Sequence, residues 1–180
     1  MSKTRTSRPF TPVRLEAIAL RYLERFSSSA ENLRRVLRRR VERAAHLDGE
    51  DPGPALILID DLVGRWQRSG LLDDRQYAEM KGRSLINRGR SSRTIRQHLS
   101  TRGVDADIID ATLTCLADEA VEQGESVDLT AARAYARRRR LGPWRTAEMR
   151  GEMRDRDLAA MGRAGFSWDV ARSVIDGEAG

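Results

Sequence analysis

Few residues of this chain have the types and spacing that catalysis or metal binding requires. The two histidines, His46 and His98, have no second histidine or cysteine at the spacing of a metal site. Cys115 is the only cysteine, which excludes an internal disulfide and a thiolate metal cage. It falls between Leu113 and Leu116, on what we interpret as a buried apolar stripe. The sequence therefore predicts no catalytic residue, no metal site and no cofactor.

Two pairs of adjacent carboxylates are the remaining candidates for a metal site. They are Asp60 with Asp61, and Asp73 with Asp74. The second pair stands where a helix begins, and acidic residues are favoured there by the helix dipole, so capping is the preferred interpretation. The common phosphate-binding loops, GxxxxGK[S/T] and GxGxxG after a strand, do not occur.

Arginine offers chemistry of another kind, because guanidinium groups bind flat, forked acceptors such as phosphates and carboxylates. The chain has 33 Lys and Arg against 27 Asp and Glu, a formal net charge of +6, and only Lys3 and Lys81 are lysines. A genome rich in G and C explains this composition equally well, but it does not explain the clustering. The arginines that we predict to bind a partner form three clusters: Arg34, Arg35, Arg38 and Arg39; Arg88, Arg90, Arg93 and Arg96; and Arg137, Arg138, Arg139 and Arg140.

Each cluster alone is equally consistent with a solvated helix face, and the helix dipole also favours arginine at a C-terminus. Recurrence at comparable places in three successive segments favours a continuous basic track that contacts an anionic partner without reading sequence. The segment 91–116 is similar to a helix-turn-helix, but its second helix would begin with Asp105, Ala106 and Asp107. Because these carboxylates would face DNA phosphates, base reading by this helix is disfavoured.

The elements that carry the arginines are predicted to be helices throughout. Apolar residues recur at helical spacing, and no stretch alternates for long enough to predict a strand. Thr11 and Pro12 predict the start of the first helix. Ser28 with Glu31 predicts a capping box for the second, and Ser92 predicts the cap of the fifth. The fold class that we predict is all-α.

The helical pattern repeats along the chain. Segment 103–109 matches segment 165–171 in order: a helix-stopping glycine, a hydrophobic staple, an N-cap and an apolar turn. We predict an elongated tandem repeat of three three-helix bundles, about nine helices in all, in which each repeat needs its neighbours for stability. The predicted divisions are a disordered basic tail at 1–10 and repeats at 11–72, 73–125 and 126–180.

The cellular location is predicted from what the sequence lacks. No stretch reaches the roughly 18 apolar residues of a membrane span, and the first residues have no apolar core of a signal peptide. The single cysteine fits a reducing compartment. We therefore expect a soluble, cytoplasmic protein that does not engage a membrane.

Three phrases of the sequence are similar to those of a known family: ALRYLERFSSSAENLRRVLRRRV, SGLLDDRQYAEMKGRSLINRGRSSRTIRQHLSTRGVDADIIDATL and GRAGFSWDVARSVID. On these residues the chain resembles the RecX family, regulators of the bacterial recombinase RecA, over residues 12–176. It departs from the family pattern in the longer linker at 47–54 and in an extended eighth helix. In the middle phrase the family pattern is followed in order by Gly70, Leu71, Leu72, Asp73, Asp74, Tyr77, Ala78, Arg83, Gly89, Ile95, Leu99, Gly103 and Val104.

The resemblance implies a non-enzymatic protein that lodges in the groove of the RecA filament on DNA and spans neighbouring protomers. Such binding would hamper filament growth, ATP hydrolysis, strand exchange and the promotion of repressor self-cleavage, and so control the SOS response and recombinational repair. We expect a monomer that contacts RecA and also DNA. The alternative is a nonspecific DNA-binding or architectural protein, which predicts tight, salt-sensitive binding to naked DNA.

Overall fold

The protein is described by a computed structural model that covers residues 9–122 and 124–178. Over these residues it forms nine α-helices and a 3-10 turn at Gly142–Trp144, with no β-strand, so the predicted all-α fold is confirmed. Of the predicted tail, residues 1–8 lie outside the described part. The helices are α1 (Pro12–Leu23), α2 (Ala30–Asp48), α3 (Gly53–Arg68), α4 (Asp74–Asn87), α5 (Ser92–Thr101), α6 (Ala106–Glu122), α7 (Val127–Arg139), α8 (Ala147–Arg163) and α9 (Trp168–Ile175).

The helices gather into two compact units. Among the described residues, unit 1 contains the chain up to Tyr77 together with Arg102–Val104, and unit 2 contains Ala78–Thr101 and the chain from Asp105 onward. Helices α1 to α3 therefore lie in unit 1, and α5 to α9 lie in unit 2. The division into three repeats stays a prediction.

The core of unit 1 is built on the apolar stripe of α2. Leu33, Leu37 and Val41 follow helical spacing and are almost completely buried. They share one hydrophobic cluster with Leu15 of α1 and Ile59 of α3, and Phe10 packs against its edge. Burying a leucine or isoleucine contributes about 1.5–3 kcal/mol, so this cluster holds α2 with its other face towards solvent.

The core of unit 2 draws on all of its helices. Ile95 of α5 and Ile109 of α6 are buried. Beyond its first residue, Val127, helix α7 contributes only alanines to the buried core, among them Ala132 and Ala136, and it packs against α9. Because alanine adds little bulk, neighbouring backbone can approach α7 closely.

The start of α2 differs from the predicted capping box by one residue. Ser29 is the N-cap, and its hydroxyl accepts a hydrogen bond from the Asn32 N–H at 3.2 Å. Ser28 instead accepts from the Asn32 side-chain amide at 2.8 Å. Glu31 is therefore only the second helical residue, and the predicted pairing of Ser28 with Glu31 is wrong.

The start of α5 is also displaced by one residue, but towards the N-terminus, whereas the first and last helices begin as predicted. Ser91 accepts from the Thr94 N–H at 3.3 Å, so the predicted cap at Ser92 is wrong. Ser92 is the first helical residue. Thr11 caps α1, and Ser167, at the N-cap position predicted within segment 165–171, caps α9. Both act through their hydroxyl oxygens, which confirms both predictions.

Candidate functional site

The predicted arginine cluster of α2 is partly occupied by acids of unit 1. Arg38 reaches Asp60 of α3 at 2.8 Å, and Arg34 reaches the same carboxylate at 3.6 Å. Arg35 lies 3.8 Å from Glu31, one turn earlier. Solvent-exposed pairs of this kind contribute about 0–1 kcal/mol each. They nevertheless neutralise part of the positive charge that we predicted from the sequence to be free for binding a partner.

Arg39 is the member of this cluster whose guanidinium remains free to bind a partner, and two neighbouring arginines outside the predicted cluster are free as well. Arg39, Arg40 and Arg43 are exposed, and none of them pairs with a carboxylate among the residues that the structure describes. Side chains three and four apart are neighbours on a helix surface, so the three guanidinium groups form one patch. We call these residues the α2 basic face.

In unit 2 the structure brings the other two predicted clusters together. The turn at Gly89, between α4 and α5, lies directly on α7: a Cβ added to Gly89 would lie 2.6 Å from the backbone nitrogen of Tyr135. Arg138 of α7 donates a hydrogen bond to the Arg88 carbonyl at 2.6 Å. Arginines distant in sequence therefore share one surface.

This surface is rich in positive charge, and one acid beside it, Asp128, is engaged by the N–H and the hydroxyl of Ser92. Its arginines are exposed, and within the described ranges none of them forms an ion pair. The segments 80–104 and 129–147, which meet at Gly89 and Tyr135, contain no Asp or Glu. Like charges gathered in this way attract an anionic partner. We call the following residues the unit 2 basic surface: Arg88, Arg90, Arg137, Arg138, Arg139 and Arg140.

Two of these arginines are held by contacts within the unit. Arg138 is fixed on the Arg88 carbonyl, and the Arg139 guanidinium lies over the ring of Tyr135, 5.7 Å from its centre. Within the predicted cluster of Arg88, Arg90, Arg93 and Arg96, Arg96 is not free to bind a partner, because it pairs with Asp110 of α6. Arg93 of α5 is exposed.

A buried hydrogen bond from a serine hydroxyl to a distant backbone carbonyl occurs twice, once in each unit. We call it the serine joint. In unit 1 the hydroxyl of Ser29, at the start of α2, donates to the Arg102 carbonyl. In unit 2 the hydroxyl of Ser91, at the start of α5, donates to the Ala164 carbonyl at 3.0 Å. Donor and acceptor are 73 residues apart in both. The joint fixes the first turn of the helix on which a basic cluster is built.

An aspartate completes each joint. The Asp74 carboxylate accepts from the Ala30 N–H at 2.8 Å, and the Asp128 carboxylate accepts from the Ser92 N–H at 2.7 Å. From the sequence we predicted that Asp73 and Asp74 cap the helix that follows them. Asp73 does cap α4, since it accepts from two N–H groups there, but Asp74 also supports α2.

A buried ion pair after α7 escaped sequence reasoning. Asp157 of α8 is 1% exposed and accepts two hydrogen bonds from Arg145, both at 2.7 Å, and one from the Gly142 N–H at 2.8 Å. Burial raises the pKa of Asp157, but these donors outweigh it and hold the pKa below its usual value. The pair fixes the chain that follows Arg137–Arg140.

Cys115 is exposed, so the prediction that it is buried is wrong. One residue later Leu116 turns inward, which leaves Cys115 on the outer side of α6. Its thiol lies 3.6 Å from a Glu119 oxygen. This hydrogen bond and the negative charge raise the pKa of the thiol, so Cys115 is protonated and weakly nucleophilic at neutral pH.

The part of the chain that the structure describes contains no group of three or more His, Cys, Asp or Glu side chains that could hold a metal ion. Asp60, one of the carboxylates considered above, binds arginines instead. No helix within the described ranges has the length and apolar character needed to cross a bilayer.

The family model for the second three-helix domain of RecX matches residues 73–113. A regulatory protein RecX from Myxococcus xanthus is 44% identical over 170 residues, which is 94% of this chain and 88% of that protein. The chain belongs to the RecX family. Further regulatory proteins RecX match from Halorhodospira halophila, at 34% identity over 87% of this chain and 83% of that one, and from Agrobacterium fabrum, at 33% over 77% and 71%.

The fold agrees with this family. A crystal structure of a regulatory protein RecX superposes with a TM-score of 0.56, covers 92% of this chain and 74% of its own, and is 23% identical. At that identity the likeness concerns the fold. The family resemblance drawn from the sequence is confirmed, and this chain is a RecX family regulatory protein.

Proposed function

We propose that this RecX family member is a non-enzymatic regulator that binds the RecA filament assembled on DNA. Bound there, it restrains filament growth, ATP hydrolysis, strand exchange and repressor self-cleavage. The observation that carries the proposal is the 44% identity with a regulatory protein RecX over 94% of the chain. In this proposal the protein acts as a monomer in the cytoplasm.

The arrangement of charge supports binding rather than catalysis. The α2 basic face and the unit 2 basic surface each present exposed guanidinium groups without a carboxylate partner among the described residues. Modest contacts carried on one chain reinforce each other, because the first contact raises the effective concentration of the next. Complementary charge also accelerates the encounter and makes it sensitive to salt.

The repeated serine joint supports the division into three repeats at 11–72, 73–125 and 126–180. The same donor, the same class of acceptor and the same separation of 73 residues occur at Ser29 and at Ser91. Such recurrence is expected when one supersecondary unit is copied along a chain. In this proposal each repeat contributes one binding module.

A second candidate function is sequence-independent DNA binding without a recombinase. The unit 2 basic surface favours it, because segments that lack acids converge there. The two candidates differ in one respect. A filament regulator prefers RecA-coated DNA, whereas an architectural protein binds bare DNA with a steep salt dependence.

A direct comparison of the two ligands tests the proposal. Cys115 is exposed and is the only cysteine, so a maleimide dye can be attached there and binding followed by anisotropy. We expect saturable binding to RecA filaments formed with a non-hydrolysable ATP analogue, at a salt concentration where bare single-stranded DNA no longer binds. The same protein should lower the ATPase rate of the filament. Equal affinity for both ligands would favour the DNA-binding alternative.

Charge reversal on the α2 basic face locates the contact. Arg39→Glu with Arg43→Glu should weaken filament binding by at least about tenfold, because each change replaces an attraction of order 1 kcal/mol by a repulsion. Arg38 is left unchanged, since a glutamate there would face Asp60. The matched control, Arg21→Glu with Arg25→Glu, changes exposed arginines of unit 1 outside this face and should bind normally. Equal loss in both variants would contradict a local contact.

A further inference from the structure

Within the described ranges, five helices end in the same way. In each, one residue adopts the left-handed conformation after the helix, and the next N–H donates to a carbonyl five residues earlier. This arrangement satisfies the last carbonyls of a helix. Glycine suits the left-handed position because it has no Cβ. The left-handed residues are Gly49 after α2, Gly89 after α4, Gly124 after α6, Arg140 after α7 and Gly165 after α8.

Arg140 is the exception in this series. Its φ of 54° makes it the one non-glycine residue with a positive φ in the part of the chain that the structure describes. The left-handed conformation is disfavoured for any residue with a Cβ. The following Leu141 N–H donates to the Ala136 carbonyl at 2.9 Å, so the turn has the form that glycine completes elsewhere. A strained residue at such a position points to a role for its side chain.

The surroundings of Arg140 separate it from two of its neighbours. Arg138 is fixed on the Arg88 carbonyl and Arg139 lies over Tyr135. Arg137 and Arg140 are exposed, and within the described ranges no ion pair or side-chain hydrogen bond holds either of them. They are therefore the guanidinium groups at the end of α7 that can bind a ligand without breaking a contact.

The chemistry of the surface favours a nucleic acid as that ligand. A protein surface carries both signs of charge, whereas a nucleic acid backbone is uniformly anionic. It suits a surface whose exposed arginines have no carboxylate partner among the described residues and whose neighbouring acid, Asp128, is engaged by Ser92. Tyr135 does not offer its ring for base stacking, since it is covered by Arg139 and packs against Phe166. The contact therefore goes to phosphates and does not read sequence.

We propose that Arg140, together with Arg137, binds nucleic acid phosphates, and that an arginine occupies this strained helix end because glycine would lose the contact. This inference rests on the proposed function in one respect: the phosphates would be those of the DNA in or beside the RecA filament. The test itself uses bare DNA and so does not depend on the recombinase.

The experiment compares three variants of the full chain. Arg140→Gly removes the strain and the charge, and Arg140→Asn removes the charge at a residue type that tolerates the left-handed conformation. Arg133→Gln is the matched control, because Arg133 is exposed on the same helix but pairs with Glu125. Thermal unfolding gives Tm, and anisotropy of a fluorescein-labelled oligothymidylate gives the binding constant over a series of KCl concentrations.

We expect Arg140→Gly to raise Tm by about 2–4 °C. It should also weaken oligonucleotide binding several-fold and reduce the slope of log K against log salt by about 0.7, the value for one phosphate contact on a single strand. Arg140→Asn should show the same change of slope, and Arg133→Gln should keep the wild-type slope.

Three results would overturn the inference. An unchanged salt slope in Arg140→Gly would mean that Arg140 touches no phosphate. A Tm that fails to rise would mean that the helix end carries no strain. An equal reduction of the salt slope in Arg133→Gln would mean that the effect is not specific to Arg140. If the wild-type chain ignores the filament while the predicted changes on bare DNA appear, the proposed function fails and this inference stands.

Discussion

Replacement of Gly89 by alanine tests the contact that unites two arginine clusters in unit 2. Gly89 has a φ of 69°, and an added Cβ would lie 2.6 Å from the nitrogen and 2.8 Å from the Cα of Tyr135. The backbone conformation alone costs an alanine about 1–2 kcal/mol. Backbone atoms cannot rotate away from the new methyl group, and overpacking of this kind costs a further 1–3 kcal/mol, roughly. We therefore expect Gly89→Ala to lower the free energy of unfolding by about 2–5 kcal/mol.

Gly124→Ala is the matched control for this prediction. Gly124 also ends a helix of unit 2 with a positive φ, of 80°, but an added Cβ would meet no atom within 4 Å. Only the backbone cost of about 1–2 kcal/mol applies to it. Urea unfolding followed by far-ultraviolet circular dichroism gives both losses from the shift of the midpoint at a common m-value. Equal losses in the two variants would refute the close approach of the Gly89 turn to α7.

Three further predictions follow from contacts in the two units. Asp157→Asn should lower the free energy of unfolding by about 3–5 kcal/mol. Because folding lowers the pKa of Asp157, its carboxylate stabilises the fold fully above the unfolded-state pKa near 3.8, and this stabilisation is lost as the pH falls through the folded-state pKa. The stability of the variant should therefore fall less steeply with decreasing pH in acid unfolding. Ser29→Ala and Ser91→Ala should each cost about 1–2 kcal/mol in urea unfolding, and a large difference between them would contradict a shared joint. Glu119→Gln should lower the pKa of Cys115 and speed its reaction with a disulfide reagent at neutral pH; an unchanged rate would contradict the hydrogen bond.

The positions of the helices follow from apolar spacing, but the choice of capping serine does not. Ser28 and Ser29 are adjacent, as are Ser91 and Ser92, and each hydroxyl could cap the helix that follows. The choice falls on the serine that also reaches a carbonyl far along the chain, at Arg102 or Ala164. Only the tertiary structure supplies that acceptor.

The same reasoning explains which parts of the arginine clusters sequence could predict. Clustering along the chain identified the residues, but the acids that occupy some of them come from other helices, such as Asp60 for Arg38 and Asp110 for Arg96. The convergence at Gly89 depends on a close backbone approach that no local pattern encodes.

The exposure of Cys115 and the burial of Asp157 could not be predicted from the local sequence. Successive residues of a helix are rotated by roughly 100°, so Leu116 is buried while Cys115 is exposed. Asp157 lies among charged residues in the sequence and would be expected outside, but Arg145 and the Gly142 N–H draw it into the interior. These partners are 12 and 15 residues away along the chain, so the periodic spacing of apolar residues does not reveal them.

The central claim is that this RecX family member binds the RecA filament through its arginine surfaces. Electron cryo-microscopy of RecA filaments on single-stranded DNA, prepared with a saturating amount of the chain, tests it most directly. We expect density for the helical units along the filament, with Arg39 and Arg43 at one contact and the unit 2 basic surface at another. Filaments without added density, or chains bound through faces that exclude these arginines, would contradict the claim.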